Sequence, residues 1–139
     1  MKLSTKGRYA LRLMLDIALQ PAGEPVSLRD IAQRQEISVK YLEQLATPLI
    51  RAGLLRSLRG AGGGYLLTRT PAEYTVGEIL RAAEGELAPV GCARDGCCEK
   101  ADRCATVDVW RDISNAIDAV VDRWRLSDVV DRYHEKNQF

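Results

Sequence analysis

Apolar positions recur along the chain at two periods, one helical and one alternating, and the switches between them mark the predicted elements. From Ser4 to Leu19 the apolar residues at 11, 14, 15, 18 and 19 keep a helical rhythm, which the stretch QPAGEP ends. Ser27 opens a second helix, with Asp30 as its capping-box partner and Leu28, Ile31 and Ala32 as its apolar side. Ile37-Ser38 marks a turn, and Ser38 caps a third helix that runs through VKYLEQLATPLIRA to Gly53. Pro48 lies within that helix and predicts a kink or a shortened second half. In LLRSLRGAGGGYLLTR two short apolar segments flank a glycine-rich tip, the pattern of a β-hairpin.

Three helices followed by a hairpin predict a mainly α fold with a small β wing, a winged helix-turn-helix over residues 1–85. In such a unit the third helix enters the major groove of double-stranded DNA and the wing reaches the backbone or the minor groove. At roughly 100° per residue, Leu42, Leu45, Ala46 and Leu49 share one side of the third helix and face the core. Lys40, Glu43, Gln44 and Thr47 fall on the opposite side, with Tyr41 on the flank. Gln44 suits adenine edges and Lys40 suits guanine or phosphate, whereas Glu43 is repelled by phosphate unless it accepts from cytosine. Ser38 at the helix start, and Arg59 with Gly60 on the wing beside Arg56, complete the predicted DNA-contacting set. GAGGGY lacks the Gly-Lys-[Ser/Thr] ending of a phosphate loop and sits between strands, so it reads as the wing tip.

Thr75 and Glu78 form a second capping box, opening a helix over VGEILRAAEG. A cysteine-bearing loop follows at 86–105, and residues 106–139 supply a long helix and a short one. Val107, Trp110, Ile113, Ile117, Val120 and Trp124 step at near-heptad spacing, with Asp108, Asp112, Asp118 and Asp122 on the other face. That pattern predicts a homodimer helix, with a final helix capped by Ser127 helping to clamp the dimer.

Charge divides the chain in the same place. Residues 1–70 hold 11 Lys/Arg against 5 Asp/Glu, and residues 71–139 hold 9 against 14, so a net +1 conceals a basic half and an acidic half. Only the first half is built to meet a polyanion. The opening MKLSTKGRYA does not read as a signal peptide, because Arg12 and Asp16 interrupt the apolar stretch after it. No apolar run approaches the ~18–20 residues that cross a bilayer. A cytoplasmic protein with reduced thiols and no membrane partner is expected. No nucleophile–base pair or cofactor loop is visible, and the one histidine, His134, is near the C-terminus, which argues against an enzyme.

All four cysteines lie in CARDGCCEKADRC, with Cys92, Cys98 and Cys104 at six-residue steps and Cys97 beside the middle one. Structural zinc sites use paired C-x2-C hooks, and none is present. A disulfide switch needs only two thiols and stays open. Packing cysteines would sit singly in apolar segments. Iron–sulfur ligation by thiolates in a flexible loop fits best.

The stretches MKLSTKGRYALRLMLDIAL, ISVKYLEQL, LRGAGGGYLL, YTVGEIL and C-x5-C-x5-C followed by VWRDIS resemble the IscR family of iron–sulfur cluster regulators, from residue 1 to about 130. The resemblance implies a homodimeric winged-helix transcription factor, generally a repressor, whose choice of DNA operator depends on a bound cluster, commonly 2Fe–2S. It would control genes of cluster biogenesis. By motif, Cys92, Cys98 and Cys104 match the cluster thiolates. Tyr41 and Gln44, with the position held here by Lys40, match the groove-reading helix, and Arg59 matches the minor-groove arginine. In the best-known branch a histidine three residues after the last cysteine is the fourth ligand; Val107 stands there in this sequence. A nitric-oxide-sensing branch draws a carboxylate from the first helix, at a place held here by Arg8. Glu43, Asp108 and Cys97 remain as candidate fourth ligands, as do solvent and a small thiol. The alternative is a cluster-free repressor of the same fold, governed by cysteine metabolism or thiol redox.

Overall fold

The computed structural model describes residues 3–94 and 98–138. Among the described residues there are six α-helices and one hairpin: α1 (Thr5–Ala18), α2 (Leu28–Gln35), α3 (Val39–Arg51), β1 (Leu55–Leu58), β2 (Gly64–Leu67), α4 (Val76–Glu84), α5 (Val107–Arg123) and α6 (Leu126–Lys136). The first helices start where hydroxyl side chains supply the missing acceptors. Ser4 accepts from Lys6 N, Ser27 from Asp30 N and Ser38 from Tyr41 N. At Ser27 the bond runs one way only; the reciprocal capping box forms at Thr75 and Glu78.

The buried side of α1 is Ala10, Leu13, Met14 and Ile17, rather than the 11, 14, 15, 18 and 19 set that its apolar rhythm suggests. α1 is a central helix, touching α2, α3, α4, β2 and α6, so apolar residues surround it and periodicity alone does not pick out its deepest face. α3 buries Leu42, Leu45, Ala46 and Leu49 as expected. It is not shortened by Pro48: the helix continues to Arg51, and the Pro48 carbonyl accepts from Ala52 N at 3.0 Å.

β1 and β2 pair antiparallel with Leu55 opposite Leu67 and Leu58 opposite Gly64. Val26 exchanges two backbone hydrogen bonds with Tyr65, at 3.0 and 2.8 Å, and fastens the wing to the chain just before α2. A side chain at Gly64 would meet the Val26 carbonyl at 2.5 Å, so the close approach requires glycine. Tyr74, fully buried, holds the other end of the wing. Its hydroxyl donates to Leu54 O at 2.9 Å and accepts from Thr68 N at 2.8 Å and Arg69 N at 3.0 Å.

The second half departs from the simple seam read in the sequence. Ile117, Val121 and Trp124 pack on Val76, Leu80 and Leu87 of the same chain, and Trp124 lies just beyond the end of α5. Asp118 and Asp122 stay about half exposed but are not unpaired, because both bind Arg81 of α4 at 2.7 Å. This pair of acids holds the Arg81 guanidinium above its ordinary pKa. Val109, Ile113 and Val120 remain exposed at 51%, 36% and 47%, on a side of α5 that no described residue covers. α6 starts two residues earlier than a cap at Ser127 would allow. Arg125 is its N-cap, and Arg125 N donates to Asp128 Oδ2 at 2.8 Å. Among the described residues no helix is long and apolar enough to cross a membrane.

Candidate DNA interface and cysteine segment

The candidate recognition surface lies on α3 and the wing. Ser38, Lys40, Glu43, Gln44 and Thr47 are exposed along one side of α3, opposite its buried leucines. Arg56, Arg59 and Gly60 are exposed on the wing. The turn there closes through Gly63 N donating to Gly60 O at 3.0 Å. Three side chains here already have local partners, and the first, Ser38 Oγ, accepts from Tyr41 N at 3.1 Å. Thr47 Oγ1 donates to Glu43 O at 3.1 Å, and Tyr41 Oη meets Thr5 Oγ1 at 3.0 Å. Tyr41 is half-buried, with its ring edge-on to Tyr9 at 5.9 Å, and Arg12 lies over the Tyr9 ring at 5.1 Å. Tyr41 is thus as much a strut between α3 and α1 as a member of the exposed face.

Cys92, Cys98 and Cys104 are half-buried free thiols in the segment joining α4 to α5. Cys92 lies in a 3-10 turn, Gly91–Ala93, that packs on α5, and Cys104 ends a second such turn, Ala101–Arg103, just before α5. The Cys104 thiol sits below its ordinary pKa because the Thr106 hydroxyl, 3.3 Å away, and the Thr106 and Val107 amides favour its thiolate. Among the described residues no three His, Cys, Asp or Glu side chains converge as a metal site, so the three thiols stand along the segment rather than gathered at one point. Cys97 lies outside the described residues. Glu43 is exposed on α3, Asp108 is exposed in the first turn of α5, and Val107 is buried at 2%. His134 stacks edge-on to Tyr133 on α6.

Sequence reading missed Glu84. An acid in the last turn of a helix opposes the helix dipole, which is the signal that was available. Its reason is tertiary. Glu84 Oε1 accepts from the Ser4 hydroxyl and from Gly7 N at 2.7 Å, so the end of α4 caps the start of α1. A side chain on Gly7 would meet Glu84 Cγ at 2.9 Å, so glycine makes room for the cap. These bonds form a continuous link. The cysteine segment leaves α4 directly after Glu84, Glu84 holds Ser4 and Gly7, and Thr5 between them holds Tyr41 of α3.

The Ser4 hydroxyl bond is the main cause of a Glu84 pKa below its ordinary 4.5, with the Gly7 amide and the charge of Lys6 adding to it. A carboxylate depressed on folding contributes stability that is complete above about 4.5 and lost as pH falls through its lower folded value. Glu84→Gln should therefore flatten the acid side of the stability profile. Urea midpoints measured from neutral pH down to about pH 4 should fall more steeply for the wild type than for the variant.

The chain matches the Rrf2 family, described as an iron-dependent transcriptional regulator, over residues 3–132. The HTH-type transcriptional regulator IscR of Cronobacter sakazakii is 40% identical over 145 residues, covering 98% of this chain and 90% of that protein. Among solved structures, CymR (YrzC), the global cysteine regulator of B. subtilis, superposes with a TM-score of 0.78. It is 41% identical, with 95% of this chain and 98% of that one covered. T. potens IscR gives a TM-score of 0.79 at 39% identity over 99% of this chain and 91% of that one. Regulators of this type bind DNA through the helix-turn-helix, and they are not enzymes. A match that runs through helix pair, wing, cysteine segment and long helix alike makes this chain a member of the Rrf2 family of transcriptional regulators, related to IscR.

Proposed function

We propose that the protein is a homodimeric, cytoplasmic repressor whose operator affinity is set by an iron–sulfur cluster, of 2Fe–2S type, held by Cys92, Cys98 and Cys104, and that it controls genes of cluster assembly. The observation that carries this reading is the placement of three evenly spaced thiols in one segment, fastened at its start to the α1 end of the DNA-reading unit. Thiolates are the donors that iron–sulfur clusters take, and the Thr106 hydroxyl beside Cys104 lowers its thiol pKa. The donor set fits in kind, with Glu43, Asp108 or Cys97 as the fourth position. The bound cluster supplies a cross-link that exists only when iron and sulfide are both at hand. The exposed Val109, Ile113 and Val120 stripe supports α5 as the dimer helix, with Trp110 at its edge.

In the mechanism, the chain's own residues carry the signal. Ordering of the segment after Gly85 changes how it draws on the end of α4. Glu84 passes that to Ser4 and Gly7, and Thr5 passes it to Tyr41 on the recognition helix. Affinity for one operator class changes as a result, and the right DNA in turn favours the cluster-bound form.

Protein purified without oxygen should be coloured and contain iron and sulfide, and Cys92→Ala should lose nearly all of both. A colourless protein that resists reconstitution favours the second reading, a cluster-free regulator of cysteine metabolism or thiol redox. Two observations support that reading: CymR, a solved relative, is named a global cysteine regulator, and Val107 replaces the ligand histidine.

A further inference from the structure

Beside the base-reading side of α3 lies a cleft of about 510 Å3 between the first turn of α1, the outer side of α3 and the end of α4. Lys6 stands on the α1 wall. Gln44, Thr47 and Arg51 stand on the α3 wall at steps of three and four residues, on one line of the exposed surface. Tyr41 and Ala83 also border it. No carboxylate lines the cleft, and among the described residues neither Lys6 nor Arg51 is in an ion pair. The cleft therefore carries two cations outside any ion pair, together with Gln44 and Thr47 and the apolar Leu45 and Pro48, next to the exposed side of α3.

We infer that this cleft takes the DNA sugar-phosphate backbone, with Lys6 and Arg51 neutralising phosphates on the strand that borders the groove occupied by α3. The ligand chemistry is a phosphodiester, and duplex DNA is its source. The α1 N-terminus is not the anion site itself. Its first amides are already taken, Lys6 N by Ser4 and Gly7 N by the Glu84 carboxylate, which leaves the binding to the two side chains. Lys6 and Arg51 differ in kind from the base-reading Lys40, Gln44 and Arg59: they position the protein on DNA of any sequence and carry no base specificity.

The inference rests on duplex DNA being the partner of α3, and salt dependence tests the two apart. Binding of the full-length protein to two duplexes of equal length and unrelated sequence is measured by fluorescence anisotropy over a range of KCl. Each phosphate neutralised contributes about 0.9 to the slope of log K against log salt. Lys6→Ala and Arg51→Ala should each flatten that slope by about one per protomer engaged, weaken both duplexes by the same factor, and leave the thermal midpoint unchanged. Lys6→Arg should keep the wild-type slope. Folded alanine variants with the wild-type slope, or with weakened binding to one duplex only, would overturn the cleft while leaving DNA binding intact. A wild-type protein showing no salt-dependent affinity for either duplex would overturn both.

Discussion

Asp16→Ala is expected to remove about 3–5 kcal/mol of stability, the cost of taking one partner from a buried ion pair. Asp16 is 2% exposed. Arg34 binds it through Nε at 3.0 Å and Nη2 at 2.7 Å, and Gln35 Nε2 adds a third donor at 2.9 Å. The carboxylate lifts the Arg34 pKa above its ordinary value. Gln35 is held in turn by Arg12, at 3.1 Å, so one acid ties α1 to the end of α2. The Arg34 side chain is 41% exposed and can regain water once released, which points to the lower end of the range. For a domain with total stability of about 5–15 kcal/mol, even that is a large fraction. Urea unfolding followed by circular dichroism measures it. A loss under 1 kcal/mol would mean that the pair contributes little beyond its desolvation cost. Because α2 carries the turn into α3, the variant should also lose DNA affinity without touching DNA.

Leu126→Ala should cost about 2–5 kcal/mol, as for other fully buried leucines. Leu126 is 0% exposed, in one cluster with Leu13, Tyr74 and Ile79. Its amide donates to Tyr74 O at 3.1 Å, and Val76 N donates to Trp124 O at 2.8 Å, so the start of α6 is stitched to the chain ahead of α4. The prediction concerns which body α6 belongs to. With a stable variant α6 would be free to serve a partner; with a large loss its first turn is part of the winged unit's core. Thermal unfolding at several protein concentrations separates the two, since only a partner contact makes the loss concentration-dependent.

The elements that lean on local chemistry were legible in the sequence. Ser4, Ser27, Ser38 and Thr75 each start a helix because a hydroxyl is the natural acceptor for orphan amides, and that signal needs no tertiary knowledge. The exposed side of α3 was legible for the same reason, since its leucines leave only one way to face. What failed depends on partners distant in the chain. The acidic face of α5 is legible, but that Asp118 and Asp122 hold Arg81 is not, because nothing local shows Arg81 waiting on α4. Ser127 looked like a cap, yet Asp128 reaches back to Arg125 and starts the helix earlier. Glu84 and its bonds to Ser4 and Gly7 join residues some eighty positions apart. For the cysteines, spacing suggested the ligand set, while their distribution along the segment is a tertiary fact.

The central claim is that the state of the cysteine segment governs the recognition helix. Its most direct test is DNA affinity of the protein prepared without oxygen, before and after its iron is removed by a chelator, at one fixed salt concentration and on a duplex selected by the untreated protein. The account predicts that the two forms differ at least tenfold, a coupling of about 1.4 kcal/mol, and that Glu84→Gln narrows the gap. Equal affinity of the two forms, with iron shown to have been present and then removed, would contradict it.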